Sequence, residues 1–184
     1  MFKTVNGGKL PTKGSKYSAC VDLFSNEDVV IGAGETKLIG LGVCIDLDKL
    51  KESKDFQQVN DFAFDIKYWR HFLSSHYLQL MLRSSLGKKG LILPNGVGII
   101  DLDYEYEIKM IIHNPIQEFH ITWWIDRLAS QLGLDTNYNN NNTANVLVKK
   151  GERIAQTTLL EHKSYLFGVD TETERNGGFG STGS

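Results

Sequence analysis

Apolar residues along this chain come in short runs rich in β-branched and aromatic side chains, and each run stops at a glycine, asparagine or aspartate turn. VVIGAGETKLIGLGVCIDL, YLQLMLRSS, GLILPNGVGIID, YEIKMIIHNP, ANVLVKKGERIAQTTLLE and SYLFGVD all read this way. Strands spaced so closely leave no room for crossover helices. The pattern therefore predicts an antiparallel all-β barrel or sandwich.

Two segments break the rhythm. Across about residues 49–76 the run FAFDIKYWRHFL supports two readings: Phe62, Phe64, Ile66 and Tyr68 alternate like a strand, while Ile66, Trp69, Phe72 and Leu73 recur like a helix. In the second insertion, about 117–143, Ile121, Trp124, Ile125, Leu128 and Leu132 fall at helical spacing with Asp126, Arg127 and Gln131 on the other side, which predicts an amphipathic helix over about 117–134. The asparagine run that follows it reads as a solvated loop. All three tryptophans, Trp69, Trp123 and Trp124, lie in these two insertions. Neither insertion buries its apolar face alone, so the expectation is that they pack on each other as a small cap beside the barrel.

Length and charge narrow the function. At 184 residues the chain fits one core of ordinary size. Its formal net charge of -2 and the lack of a Lys/Arg-rich run argue against duplex nucleic acid and anionic membrane as partners. No apolar run is long enough to span a bilayer, and the start lacks the core of a signal peptide, so the expectation is a soluble, cytoplasmic protein. Cys20 and Cys44 read as buried thiols, and the five histidines show no metal-ligand spacing.

The chemistry sits at the turns. In LRSSLGKKG, Arg83 offers a bidentate fork and Ser84 and Ser85 offer hydroxyl and backbone donors, the parts of a phosphate cradle. In LPNGVGIIDLDY, Asn95-Gly96 is a strong hairpin signal, and Asp101 and Tyr104 follow an apolar pair. The chain closes on RNGGFGSTGS, a glycine-rich stretch with one ring, one arginine and several hydroxyls. Such a segment is mobile when empty, yet carries what is needed to grip a phosphate and cover a base.

SKYSACVDLFS with Asp22, RSSLGKKG, NGVGIIDLDY, GERIAQ and GGFGSTG occur in this order, and together they resemble the five motifs of the trimeric dUTPase family. The resemblance implies a dUTPase-like β-barrel, a distorted jelly roll, over residues 1–174, with a flexible C-terminal lid over 175–184. It implies hydrolysis of dUTP to dUMP and pyrophosphate, with Asp101 activating the attacking water. Asn95, Gly98 and Ile99 match the family hairpin that reads uracil through main-chain groups, and Tyr104 matches the tyrosine beneath the deoxyribose. Arg83, Ser84, Ser85 and Gln156 match the phosphate-binding positions, with Ser85 where many relatives have glycine. In the lid, Phe179 would stack on the base, Arg175 would reach the γ-phosphate, and Gly180, Ser181 and Thr182 would wrap the phosphates. Asp22 matches an aspartate linked to Mg²⁺ through water. The family is a homotrimer whose subunits share their active sites.

Two alternatives stand beside this reading. A dCTP deaminase also carries RSSL, but its catalytic glutamate lies three residues before an asparagine that here is Asn114, and Ile111 occupies that place. A regulatory protein on the same fold would use the insertions to dock a protein partner.

Overall fold

The fold is described from a computed structural model over residues 1–53, 66–116, 121–133 and 145–169, with backbone only for 121–126. The C-terminal lid residues Arg175, Phe179, Gly180, Ser181 and Thr182 lie outside the described residues, as do Phe62 and Phe64.

The chain runs β1 (Phe2–Thr4), β2 (Thr12–Lys13), β3 (Val21–Phe24), β4 (Val29–Ile31), β5 (Thr36–Gly40), β6 (Val43–Ile45), α1 (Leu47–Glu52), α2 (Ile66–Ser75), β7 (His76–Leu82), α3 (Ser84–Gly87), β8 (Gly98–Asp101), β9 (Lys109–His113), α4 (Ile121–Leu132), β10 (Val146–Val148) and β11 (Arg153–Glu161). A 3-10 turn over Ser164–Phe167 follows. The expected β-rich architecture is present. Five antiparallel strands form the main sheet in the order β2-β3-β11-β7-β8, and β1-β6, β10-β4 and β5-β9 form three two-stranded sheets. Among the described residues no ladder closes on itself into a barrel.

The long run VVIGAGETKLIGLGVCIDL is cut into β4, β5 and β6 where Gly34 and Gly42 take positive φ, 69° and 64°. Gly42 is also where two backbones touch: a Cβ on Gly8 would stand 2.1 Å from the Gly42 carbonyl oxygen. Glycine at both positions is what lets the chain return to β6. Alternation then decides the core. Leu78 and Leu80 from β7, Leu23 from β3, Ala155 from β11, and Met110 and Ile112 from β9 all point inward and are nearly or fully buried, while a register irregularity between Arg153 and Ala155 lets the adjacent Ile154 be buried as well. Cys44 joins them as a buried thiol, whereas Cys20 is only half-buried.

The ambiguous segment resolves as helix from residue 66 onward. Trp69 and Phe72 stack at 5.7 Å and belong to the same buried cluster as Leu78 and Leu80, so α2 is part of the main core; the side chain of Trp124, on which the expected cap turns, lies outside the described residues. The expected amphipathic helix is also present as α4, but its described face differs from the predicted stripe. Ala129 is buried, while Leu128 and Leu132 are 61% and 66% exposed. Arg127 and Gln131 are exposed as well, and the side chains of Ile121, Trp124 and Ile125 lie outside the described residues. A third difference is SYLFGVD. Instead of a strand it makes the 3-10 turn, closed by the Leu166 N–H donating to the Lys163 carbonyl at 3.0 Å and ended by Gly168 at φ 65°.

If α2 belongs to the core, Trp69→Ala lowers unfolding free energy in urea by about 3–5 kcal/mol, the range for removing a buried aromatic. A loss below about 1 kcal/mol would mean that α2 is only a surface appendage.

Candidate functional site

The turn after Leu91 is built as its sequence demands. Gly96 takes φ 71° and its N–H donates to the Leu93 carbonyl at 2.9 Å, while the Val97 N–H donates to Asn95 at 2.8 Å. The strand leaving this turn, β8, pairs with β7 and not with the residues just before the turn, which touch β9 through a bridge between Ile92 and His113. The turn is thereby clamped between the edge of the main sheet and β9. Gly98 faces Leu80 so closely that a Cβ there would stand 3.0 Å from the Leu80 Cβ, so glycine sets the approach of β8 to β7.

Between turn, β8 and β9 lies a cavity of about 250 Å³ lined by Asn95, Gly98, Ile99, Asp101, Tyr104, Lys109 and Ile111 with Leu80, Leu93 and Ile100. Every expected residue of the GVGIID segment thus comes to one place. Asp101 is exposed at the end of β8, and its carbonyl accepts the Tyr104 N–H at 3.1 Å, a tight turn that brings the ring back toward the carboxylate's strand. Tyr104 is 8% exposed, its hydroxyl donates to the Glu107 carbonyl at 3.2 Å, and Tyr106 meets it edge-on at 5.7 Å. The ring is therefore fixed before any ligand arrives. Lys109 and Ile111 enter because β9 alternates, with Met110 and Ile112 buried between them. Lys109 was not singled out from sequence, although the period-two pattern of KMIIH marks it as facing away from the core.

The phosphate-motif residues gather elsewhere. Asp22 on β3 is 7% exposed, and its Oδ2 takes Arg83 at 3.2 Å and Arg153 at 3.3 Å. Gln156 on β11 stands in register with Asp22 on one side and Met81 on the other. Arg83 leaves the end of β7 and leads into α3, where Ser84 and Ser85 are exposed. Arg153 in GERIAQ thus has a structural task, and the same motif's Glu152 pairs with Lys89 at 2.6 Å. Partial burial works to raise the Glu152 pKa, but hydrogen bonds from Lys89 and the Lys149 N–H outweigh it and hold the carboxyl below its ordinary value.

The two groups share one face of the main sheet. Pairing of Asp101 with Tyr77, and of Gln156 with Met81, places them on the same side of the pleat, four residues apart along β7 and on opposite sides of it. At ~3.3 Å per residue and ~4.8 Å between strands, their backbones stand about 16 Å apart. None of Arg83, Ser84, Ser85 or Gln156 lines the turn cavity of its own chain.

Comparison with known proteins decides the family. The chain is 32% identical over 180 residues to the deoxyuridine 5'-triphosphate nucleotidohydrolase of Nautilia profundicola, covering 95% of this chain and 90% of that protein. The chain belongs to the dUTPase family. The enzyme of the same name from Rickettsia akari is 30% identical over 183 residues, covering 96% of this chain and 89% of its own. Among solved structures, the Staphylococcus bacteriophage 80alpha dUTPase matches with a TM-score of 0.58 at 18% identity, covering 98% of this chain and 97% of that one, which shows the shared dUTPase fold. No protein-family model matches the chain.

Asp22→Asn keeps the volume and removes the charge that two guanidinium groups share. Arg153 is half-exposed and remains solvated, so the expected loss is about 1–3 kcal/mol in urea unfolding. A change under about 0.5 kcal/mol would show that both arginines find other partners.

Proposed function

We propose that this chain hydrolyses dUTP to dUMP and pyrophosphate, using the cavity at the Asn95-Gly96 turn for the nucleoside. The observation that carries the reading is the single cavity that joins Asn95, Gly98, Ile99, Asp101 and Tyr104 in a chain of the dUTPase family. Main-chain groups of the turn read the uracil edge, and close packing at Gly98 rejects a thymine methyl by overpacking. Tyr104, held by its own hydroxyl bond, forms the floor beneath the deoxyribose. Asp101 accepts a proton from water as the water oxygen bonds to the α-phosphorus. The bond from that phosphorus to the bridging oxygen breaks, and pyrophosphate leaves.

The site is completed by a second copy and a third. Because the phosphate-motif residues do not line their own chain's cavity, Arg83, Ser84, Ser85 and Gln156 serve a nucleotide held by a neighbour in a homotrimer. The tail with Arg175, Phe179, Gly180, Ser181 and Thr182 closes over the site as a lid. Mg²⁺ is the cofactor in this reading, carried with its waters on the triphosphate. When bound, it neutralises phosphate charge. The resemblance would have Asp22 meet its water shell, a role for which the carboxylate would be shared with Arg83 and Arg153.

Ile111 argues against deamination. It lines the cavity where a deaminase needs its base, and an alkyl group there activates no water. Among the described residues no helix is long and apolar enough to cross a membrane, and we place the enzyme in the cytoplasm with its nucleotide substrate.

Pyrophosphate release with Mg²⁺ is expected to be strongly faster from dUTP than from dTTP, dCTP or UTP, and equal turnover of dTTP would refute the reading. Asp101→Asn should lower kcat by about 10²–10⁴-fold while nucleotide still binds, as seen by calorimetry. Truncation before Arg175 should lower kcat and leave the fold intact. Mixing the truncated chain with Asp101→Asn should restore turnover after subunit exchange, since a mixed trimer pairs an intact lid with an intact base. Failure to recover would mean that each chain closes its own site.

A further inference from the structure

Tyr104 lines the nucleoside cavity with a ring tied down at both ends. Its N–H donates to the Asp101 carbonyl at 3.1 Å, and its hydroxyl donates to the Glu107 carbonyl at 3.2 Å. Glu107 is itself held from several sides. Its carboxylate accepts the Gly42 N–H at 2.8 Å and the Asn6 side-chain amide at 3.0 Å, and it lies so near Gly40 that a Cβ there would stand 2.7 Å from Oε1. The next residue, Ile108, donates its N–H to the Val43 carbonyl at 2.8 Å and accepts the Leu41 N–H at 3.0 Å. The acceptor of the Tyr104 hydroxyl is therefore a fixed point.

Two fixed ends still permit a ring one motion. The Cβ, Cγ and Cζ atoms and the hydroxyl oxygen of a tyrosine lie on one line, so the ring can swing about that line without breaking either hydrogen bond. The torsion concerned has only a broad preference of its own. Tyr106 bears on this swing: its ring meets Tyr104 edge-on, with 5.7 Å between centroids and 61° between planes. Turning the Tyr104 ring would give up that edge-to-face arrangement. Tyr106 is 56% exposed and does not line the cavity, so it acts on a bound nucleoside through Tyr104.

We propose that Tyr106 is a positioning residue for sugar specificity: by fixing the rotation of the Tyr104 ring, it keeps the surface beneath the sugar too close for a 2′-hydroxyl. This rests on the reading of the cavity as the dUTP site. A wall rejects one extra oxygen by overpacking only as far as the wall itself cannot yield. Deoxyribose accepts the ring where Tyr106 holds it, whereas ribose would have to turn it.

Discrimination between the two sugars by the full chain is the readout. In Tyr106→Ala the ratio of kcat/KM for dUTP over UTP should fall about fivefold, the scale of one edge-to-face pair, with kcat/KM for dUTP changed less than about twofold. Tyr106→Phe keeps the edge contact and should keep the wild-type ratio. Calorimetric titration with dUMP and UMP repeats the test without turnover: the preference for dUMP should shrink about fivefold in Tyr106→Ala and stay unchanged in Tyr106→Phe. A purely structural loss would lower both substrates alike and leave the ratio unmoved, and that result would overturn the proposal. An equal fall in Tyr106→Phe would also overturn it, since the hydroxyl and not the ring would then matter. If the wild-type chain favoured neither dUTP over UTP nor dUMP over UMP, the reading of the cavity would fail and the proposal with it. A wild-type preference that survives intact in Tyr106→Ala would refute the role of Tyr106 alone.

Discussion

The pairing of β7 with β11 is the constraint on which the rest of this chain depends. Seven consecutive residues on each strand are in register, from Ala155 opposite Leu82 to Glu161 opposite His76. No other ladder in the described residues is as long, and each strand has a further neighbour on its far side, β8 on β7 and β3 on β11. One register thereby fixes three things at once. It places Gln156 beside Met81, it sets that pair four residues along β7 from Tyr77, the partner of Asp101, and it delivers the end of β11 to α2. A slip of one residue would turn Leu78, Leu80 and Ala155 outward and bring Gln79 and Gln156 into the core, a cost no local interaction could offset.

What could be read from the sequence follows this division between local and long-range order. The Asn95-Gly96 turn is local chemistry, and Gly96 takes the positive φ its dipeptide implies. The apolar alternation of β7, β9 and β11 was equally legible, because period-two burial is a property of each strand alone. Partner choice was not. The turn suggested a hairpin with the residues before it, yet β8 joins β7, a decision made by the fit of Gly98 against Leu80 across about eighteen residues of chain. Nor was the task of Arg153 legible, because it lies in the sharing of the Asp22 carboxylate with Arg83, a contact between strands far apart in sequence.

The two insertions show the same limit from opposite directions. In the first, strand and helix patterns overlapped at Ile66, and the tie was broken by Trp69 and Phe72, which are three residues apart and both find room in the main core. Helical spacing puts both rings on one side, where they stack and are buried together in the core. In the second, the helix was legible and its orientation was not. Hydrophobic periodicity assumes that the apolar stripe faces the chain's own body, and over its described side chains, 127–132, α4 instead buries the small Ala129 and leaves Leu128 and Leu132 to solvent.

The site itself is open, and its openness follows from its construction. A cavity enclosed within one chain would need its polar groups to converge from several elements, each buried and each requiring a partner. Here Asp22, Gln156, Ile99 and Asp101 are spread over one face of a single sheet, with Asp22 already neutralised by two arginines. That arrangement costs little in the isolated chain, since Asp101 stays solvated and Ile99 remains 55% exposed. It leaves the nucleoside half and the phosphate half about 16 Å apart, a gap set by strand geometry that side-chain motion cannot close. The same polar face is thus stable empty, and the proposed sharing of donors between copies is the arrangement that would bridge a gap one chain cannot close by itself.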